Sequence, residues 1–193
     1  MTTVNAYHQT LHFAFAKAAT DRAAGTIVAS RAAALALGIR PESVSVTHVA
    51  GMPPTISTTD ATAQQDNALA ISMSHRDGRA VAVASRSAAL RVGLDLERAD
   101  GLSAAYARYF LTGAEWHTGG TLSLNQLWAL KEAAWKALAC DATTPFTALE
   151  LGFGIHGRLD EIRLRRRCVP AHALIFAPWK HMVCAVVFVG KVA

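Results

Sequence analysis

LAISMSHRDGRAVAVASRSAALRVGLDLE, residues 69–97, decides how this chain folds. Leu69, Ile71 and Met73 alternate with Ala70, Ser72 and Ser74, the period-two pattern of a strand with one buried face. Asp77-Gly78 supplies the chemistry of a tight hairpin turn, and the chain returns through Val81 and Val83. A further strand is expected from Leu90 to about Leu96. Upstream, residues 21–37 read as a helix stopped by Gly38 in the left-handed conformation. Its apolar rows run through Ala24, Ile27, Val28, Ala34 and Leu35. Arg31 falls on the row of Ile27 and Leu35, so it reads either as a snorkelling side chain or as a partly buried cation awaiting an anion.

Val44 and Val46 suggest a strand ending near Val49, and Gly51-Met52-Pro53-Pro54 breaks it. Residues 57–67, rich in Thr, Asp and Gln, read as a mobile surface loop. Downstream, helical signals cover residues 103–116. A long helix then starts at a Ser123 cap, with Leu124, Leu127, Trp128, Ala134, Trp135 and Leu138 on its inner face. Strands are expected over residues 149–155, 159–165, 171–176 and 182–189. Helix and strands followed by helix and strands give an α+β fold in two similar halves, residues 1–90 and 91–193, joined near 85–91.

Composition narrows the function. With 193 residues, 52% hydrophobic and 17% charged, the chain can bury a core and is not disordered. No apolar run approaches the roughly 20 residues that span a bilayer. No basic segment leads into an apolar one at the N-terminus, so no secretory signal is expected. The three cysteines, Cys140, Cys168 and Cys184, form no Cys-x-x-Cys pair. That usage fits a reducing cytoplasm and neither a disulfide framework nor a zinc site. The net charge of +5, with pI near 9.4, favours an acidic partner. The densest basic run, Arg163, Arg165, Arg166 and Arg167, reads as a solvated strand end rather than a binding site.

Two clusters carry chemistry. Asp95 and Glu97 sit two apart on a strand and share a face, while Leu94 and Leu96 turn into the core. Neighbouring carboxylates repel by roughly 1 kcal/mol in water and several times that where partly buried, so a hard divalent cation between them is a natural remedy. Such a pair alone is more often a solvated strand end. Gly93 has no side chain and lets another backbone or a ligand come close. In the second cluster, WALKEAAWKAL at 128–138, Glu132 and Lys136 lie four apart on one helix face. Alone they read as a surface ion pair worth a few tenths of a kcal/mol. Trp128 and Trp135 share a face and read as core.

In this order, VGLDLE at 92–97 and WALKEAAWKAL at 128–138 resemble the signature of the 4′-phosphopantetheinyl transferase superfamily, Gly-hydrophobic-Asp followed by Trp-x-x-Lys-Glu-x-x-x-Lys. Ser72-Met73-Ser74-His75 resembles the family's Ser-x-Ser-His element. Arg108-Tyr109-Phe110 with Glu115 resembles the segment leading into its long helix. Gly51 to Pro54 resembles its Gly-Lys/Arg-Pro element, with Met52 where a basic residue is common, and Arg76 stands where a serine is common. Ala29-Ser30-Arg31-Ala32 resembles its Ala-Gly-Arg element. The resemblance extends over about residues 22–190. The Ser-His element and the two halves look like the larger monomeric class, the surfactin-synthetase-activating type. That class is a pseudo-twofold, pseudo-dimeric unit with its site between the halves. The small homotrimeric class is less similar.

The resemblance implies transfer of 4′-phosphopantetheine from coenzyme A to a serine of an apo acyl or peptidyl carrier protein, an acidic partner, releasing 3′,5′-ADP. It implies Mg2+, with Mn2+ as a substitute, on Asp95, Glu97 and Glu132. Glu132 would act as base, directly or through a metal-bound water, with Asp95 and Lys136 completing the catalytic set. Lys136 would neutralise charge on the phosphates and protonate the departing 3′,5′-ADP. His75, Ser74, Lys131 and Arg31 would contact the cofactor. Two rivals are a nucleic-acid binder using the Arg163–Arg167 run and a coenzyme A-binding domain without turnover. The first lacks base-stacking aromatics or a reader motif beside its arginines. The carboxylate set argues against the second. Neither nucleic acid nor membrane is expected as a partner.

Overall fold

The computed structural model describes residues 2–6, 9–47, 54–60, 69–87, 89–118, 121–154 and 157–190. Two compact units divide the chain, Met1–Val92 and Gly93–Ala193. Each sets a long helix on a sheet, and the fold is α+β.

The first unit contains β1 (Thr2–Ala6), β2 (Gln9–Lys17), α1 (Asp21–Leu37), β3 (Val44–Thr47), β4 (Thr55–Thr58), β5 (Leu69–Arg76) and β6 (Arg79–Arg86). Its main sheet runs β1-β2-β6-β5, with every neighbour antiparallel. The expected hairpin is present. Arg76 pairs with Arg79 across Asp77 (φ 54°) and Gly78 (φ 69°), and positive φ at both central residues is what a type I′ turn demands.

Helix α1 begins at a Thr20 cap, whose Oγ1 accepts from Ala23 N at 3.2 Å, and stops at Gly38 (φ 71°), as expected. Its inner face differs from the expectation. Ala24, Val28, Ala32 and Ala36 pack on Ala80, Ala82 and Ala84 of β6. Ile27 and Leu35 are each 36% exposed. Arg31 beside them is exposed and not the partly buried cation considered above. Small residues on both surfaces let helix and sheet approach closely, and that closeness leaves the bulky row outside.

Two further corrections fall in this unit. Residues 57 and 58, the start of the expected loop, belong to β4, which pairs antiparallel with β3 from Val44↔Thr58 to Thr47↔Thr55. Strand β2, which no expectation covered, lies between β1 and β6. Residues 48–53 and 61–68 are outside the described residues, and with them the strand end at Val49, the Gly51-Met52-Pro53 element and most of the proposed loop.

Strand β7 (Leu90–Arg98) leads into the second unit, followed by α2 (Ala104–Ala107), α3 (Gly113–Thr118), α4 (Leu124–Ala137), β8 (Leu149–Phe153), β9 (Leu159–Leu164), β10 (Arg167–Phe176) and β11 (Met182–Gly190). The sheet order is β7-β11-β10-β9-β8. The expected helix over 103–116 is two short helices. Thr112 restarts the chain as a cap, its Oγ1 accepting from Glu115 N at 3.3 Å while Glu115 Oε2 accepts from Thr112 N at 2.6 Å.

Ser123 caps α4 in the same reciprocal way with Gln126. The helix buries Leu127, Ala129, Leu130, Ala133, Ala134 and Ala137. Leu130, Ala133, Ala134 and Ala137 join Leu151, Ile162, Ala185 and Val187 in one core. Trp128 and Trp135 are half-buried against Phe146, with ring centroids 5.1 and 6.0 Å apart. They are packing residues, as read from their spacing. No helix among the described residues is long and apolar enough to cross a membrane.

Candidate active site

Gly93 sets the site. A Cβ at Gly93 would overlap the Ala133 carbonyl oxygen and lie 2.5 Å from Ala137 N. The space left open by Gly93 therefore admits the α4 backbone itself. Of the two uses foreseen for this glycine, the structure takes the first. Asn125, near the start of α4, donates from Nδ2 to Arg98 O and Asp100 O, both at 2.9 Å. Near the helix end, Lys136 Nζ donates to Leu94 O at 3.0 Å. Helix and strand thus run in opposite directions. Eleven helical residues cover about 16 Å and four strand residues about 13 Å, so the two elements stay in register along the contact.

That register brings three carboxylates together. One oxygen from each of Asp95, Glu97 and Glu132 lies within 4.8 Å of the others. Asp95 is 1% exposed, while Glu97 and Glu132 are half-buried. Lys136 Nζ is 2.7 Å from Asp95 Oδ1, so its ion-pair partner lies across on β7 rather than one turn back on its own helix. Burial alone would lower the Lys136 ammonium, but Asp95, Glu132 and Glu97 outweigh it and hold its pKa above the usual value. Glu132 is pushed up to about 8, first by burial and then by the neighbouring Asp95 carboxylate; Lys136 opposes the shift.

The donor set fits a hard divalent cation. All three groups offer oxygen, with no thiolate or imidazole among them, the preference of Mg2+ or Mn2+ rather than zinc. Three carboxylates this close repel one another, and a divalent ion between their oxygens would relieve that repulsion.

Lys131 does not join this cluster. It is 0% exposed, and its Nζ lies 2.5 and 2.6 Å from the two oxygens of Glu115. Burial pushes its ammonium below the usual value, with Glu115 acting against that. A side chain so enclosed has no surface to offer a cofactor, which corrects that expectation. Glu115 enters the sequence reading only as part of a motif, with no role. The signal that could have placed it is the Thr112-x-x-Glu115 capping pattern.

The remaining expected residues lie in the first unit. His75 and Ser74 are on β5, and Arg31 is on the exposed side of α1. His75 Nδ1 is 3.6 Å from Asp21 Oδ2, and Asp21 Oδ1 accepts from Gly78 N at 2.5 Å. The turn of the β5–β6 hairpin is thereby tied to the first turn of α1. Arg163 pairs with Glu150 at 3.1 Å and with Glu161, and Arg165, Arg166 and Arg167 are exposed at the β9–β10 turn.

No curated protein matches the chain. The stretch holding Asp95, Glu97, Glu132 and Lys136, residues 91–176, matches the family model of the 4′-phosphopantetheinyl transferase superfamily.

Proposed function

We propose that this protein is a magnesium-dependent 4′-phosphopantetheinyl transferase of the larger, monomeric class. It would move phosphopantetheine from coenzyme A to a serine of an acidic apo acyl or peptidyl carrier protein and release 3′,5′-ADP. The observation that carries the reading is the oxygen triad of Asp95, Glu97 and Glu132, inside the segment that matches the superfamily. That match supports phosphopantetheinyl transfer in general. The two units, each a helix on a sheet, support the larger class.

Mg2+ held by the triad would withdraw charge from the coenzyme A pyrophosphate and fix its orientation. The serine oxygen forms a bond to the phosphorus bearing pantetheine, and the bond from that phosphorus to the bridging oxygen breaks. The serine proton would pass to Glu132, the helix carboxylate that lies beside Asp95 and Glu97. Lys136 Nζ, held by Leu94 O and Asp95, places a positive charge where the leaving group develops negative charge. His75, Ser74 and Arg31 are proposed cofactor contacts, with a cytoplasmic setting that fits the thiols.

Mass spectrometry of an apo carrier protein incubated with coenzyme A and Mg2+ tests the proposal. Addition of one phosphopantetheine, lost with a chelator and restored by Mg2+ or Mn2+, is expected. Coenzyme A binding with no modification of any carrier in a panel of fatty-acid, polyketide and peptide types would leave a binding domain without turnover.

A further inference from the structure

The Glu115–Lys131 pair is buried, charged and away from the carboxylate triad. Both side chains are 0% exposed. Glu115 joins three pieces of the second unit. It accepts from Thr112 N at 2.6 Å, from Leu151 N on β8 at 2.8 Å, and from Lys131 on α4. A buried ion pair is a poor way to gain stability, because desolvation offsets most of the attraction; its best-attested use is to fix one arrangement among several.

What it fixes here follows from helix geometry. Successive residues turn by about 100° around the axis. Asn125, Glu132 and Lys136 therefore point within about 20° of one direction, that of β7, whereas Lys131 points about 120° away from Asn125. Hydrogen bonds on the β7 side hold the helix along its length. Polar anchors in two such separated directions also prevent it from rolling. With side-chain tips about 5–6 Å from the axis, a roll of only 10° shifts the Glu132 carboxylate by about 1 Å. The triad oxygens lie within 4.8 Å of one another, so such a shift is enough to misplace a ligand.

We propose that Glu115 and Lys131 are positioning residues that set the rotation of α4 and so hold Glu132 at the metal position opposite Asp95 and Glu97. This rests on the triad being a divalent-metal site, and not on the transfer reaction. The test compares Mn2+ affinity, by electron paramagnetic resonance, with melting temperature in the full chain. Glu115→Gln combined with Lys131→Met removes both charges, leaves an oxygen for one backbone donor and nearly conserves volume. The expected result is an Mn2+ affinity lower by about tenfold, the scale on which support around metal ligands acts, at a melting temperature close to wild type. Wild-type affinity in that variant would overturn the proposal, since a purely structural pair leaves Mn2+ binding alone. Should the double variant not fold, Glu115→Asp decides, because it keeps the charge but shortens the reach by one methylene. Unchanged Mn2+ affinity there overturns the proposal, and a loss supports it. Failure of the wild type to bind Mn2+ would instead remove the metal site, and this inference with it.

Discussion

Glu132 is the residue on which pH acts most directly. Its carboxyl titrates at about 8 in the folded chain against an ordinary 4.5. Between those values the folded protein holds a proton that the unfolded chain has released. Stability of the metal-free protein therefore falls as pH rises through this window. Thermal melts in chelator should show that slope, and Glu132→Gln should flatten it. The same variant removes both a metal ligand and the proposed base, so transfer should drop by a hundredfold or more. A divalent ion must displace the proton to use this oxygen. Calorimetry in buffers of different ionisation enthalpy should find close to one proton released per Mn2+ at about pH 6.5 and almost none at about pH 9. Equal release at both would detach Glu132 from the metal. The strand period puts Asp95 and Glu97 on one face, but what joined Glu132 to them in the sequence was the resemblance carried by the two motifs together, since each cluster alone reads as solvent-facing. The partner of Lys136 was not legible there, because a spacing of four suggests a same-helix pair and only the packing of α4 on β7 delivers Asp95 instead.

At the scale of elements, Gly93 is where helix and strand meet. Its missing Cβ faces α4 backbone, which cannot rotate aside as a side chain would. Gly93→Ala should therefore cost about 1–3 kcal/mol through overpacking and weaken Mn2+ binding, since the helix must lift away from Asp95 and Glu97. Urea melts and a Mn2+ titration check both; full affinity in the alanine variant would mean the close approach is not needed. The hairpin at Asp77-Gly78 and both ends of α1 were readable because turn and cap chemistry is local. The inner face of α1 was not, since most of its residues are apolar and size, not hydropathy, chose the side that faces Ala80, Ala82 and Ala84. Strand β2 escaped for a related reason. Leu11 and Phe13 are buried, but so is Ala14, which packs with α1, so the alternation is of large and small rather than of apolar and polar. The two long-range links that finish the site, Asn125 to the end of β7 and Glu115 to Lys131, join residues 25 or more and 16 positions apart, which no local period reports.

For the molecule as a whole, the proposed duties divide by unit. The proposed metal ligands all belong to Gly93–Ala193, and the proposed cofactor contacts His75, Ser74 and Arg31 to Met1–Val92. His75→Ala and Arg31→Ala should accordingly weaken coenzyme A binding, less so for dephospho-coenzyme A if they meet the 3′-phosphate, while Mn2+ affinity stays at wild type. An equal loss for both ligands would move them elsewhere on the cofactor. The overall charge makes a separate demand. An excess of five positive charges over the sequence would attract the proposed acidic carrier before any contact forms. Exposed charges interact only within about a Debye length, roughly 10 Å at 0.1 M salt and 3 Å at 1 M. Raising salt should thus lower kcat/KM for the carrier by slowing encounter, and leave kcat nearly constant, because the charges around Asp95 are partly buried and screened far less. Coenzyme A is itself anionic, so the series has to be run at saturating cofactor to isolate the carrier. A kcat that fell in parallel with kcat/KM would place the salt-sensitive contacts inside the site. A flat kcat/KM would show that the basic surface takes no part in bringing the carrier in.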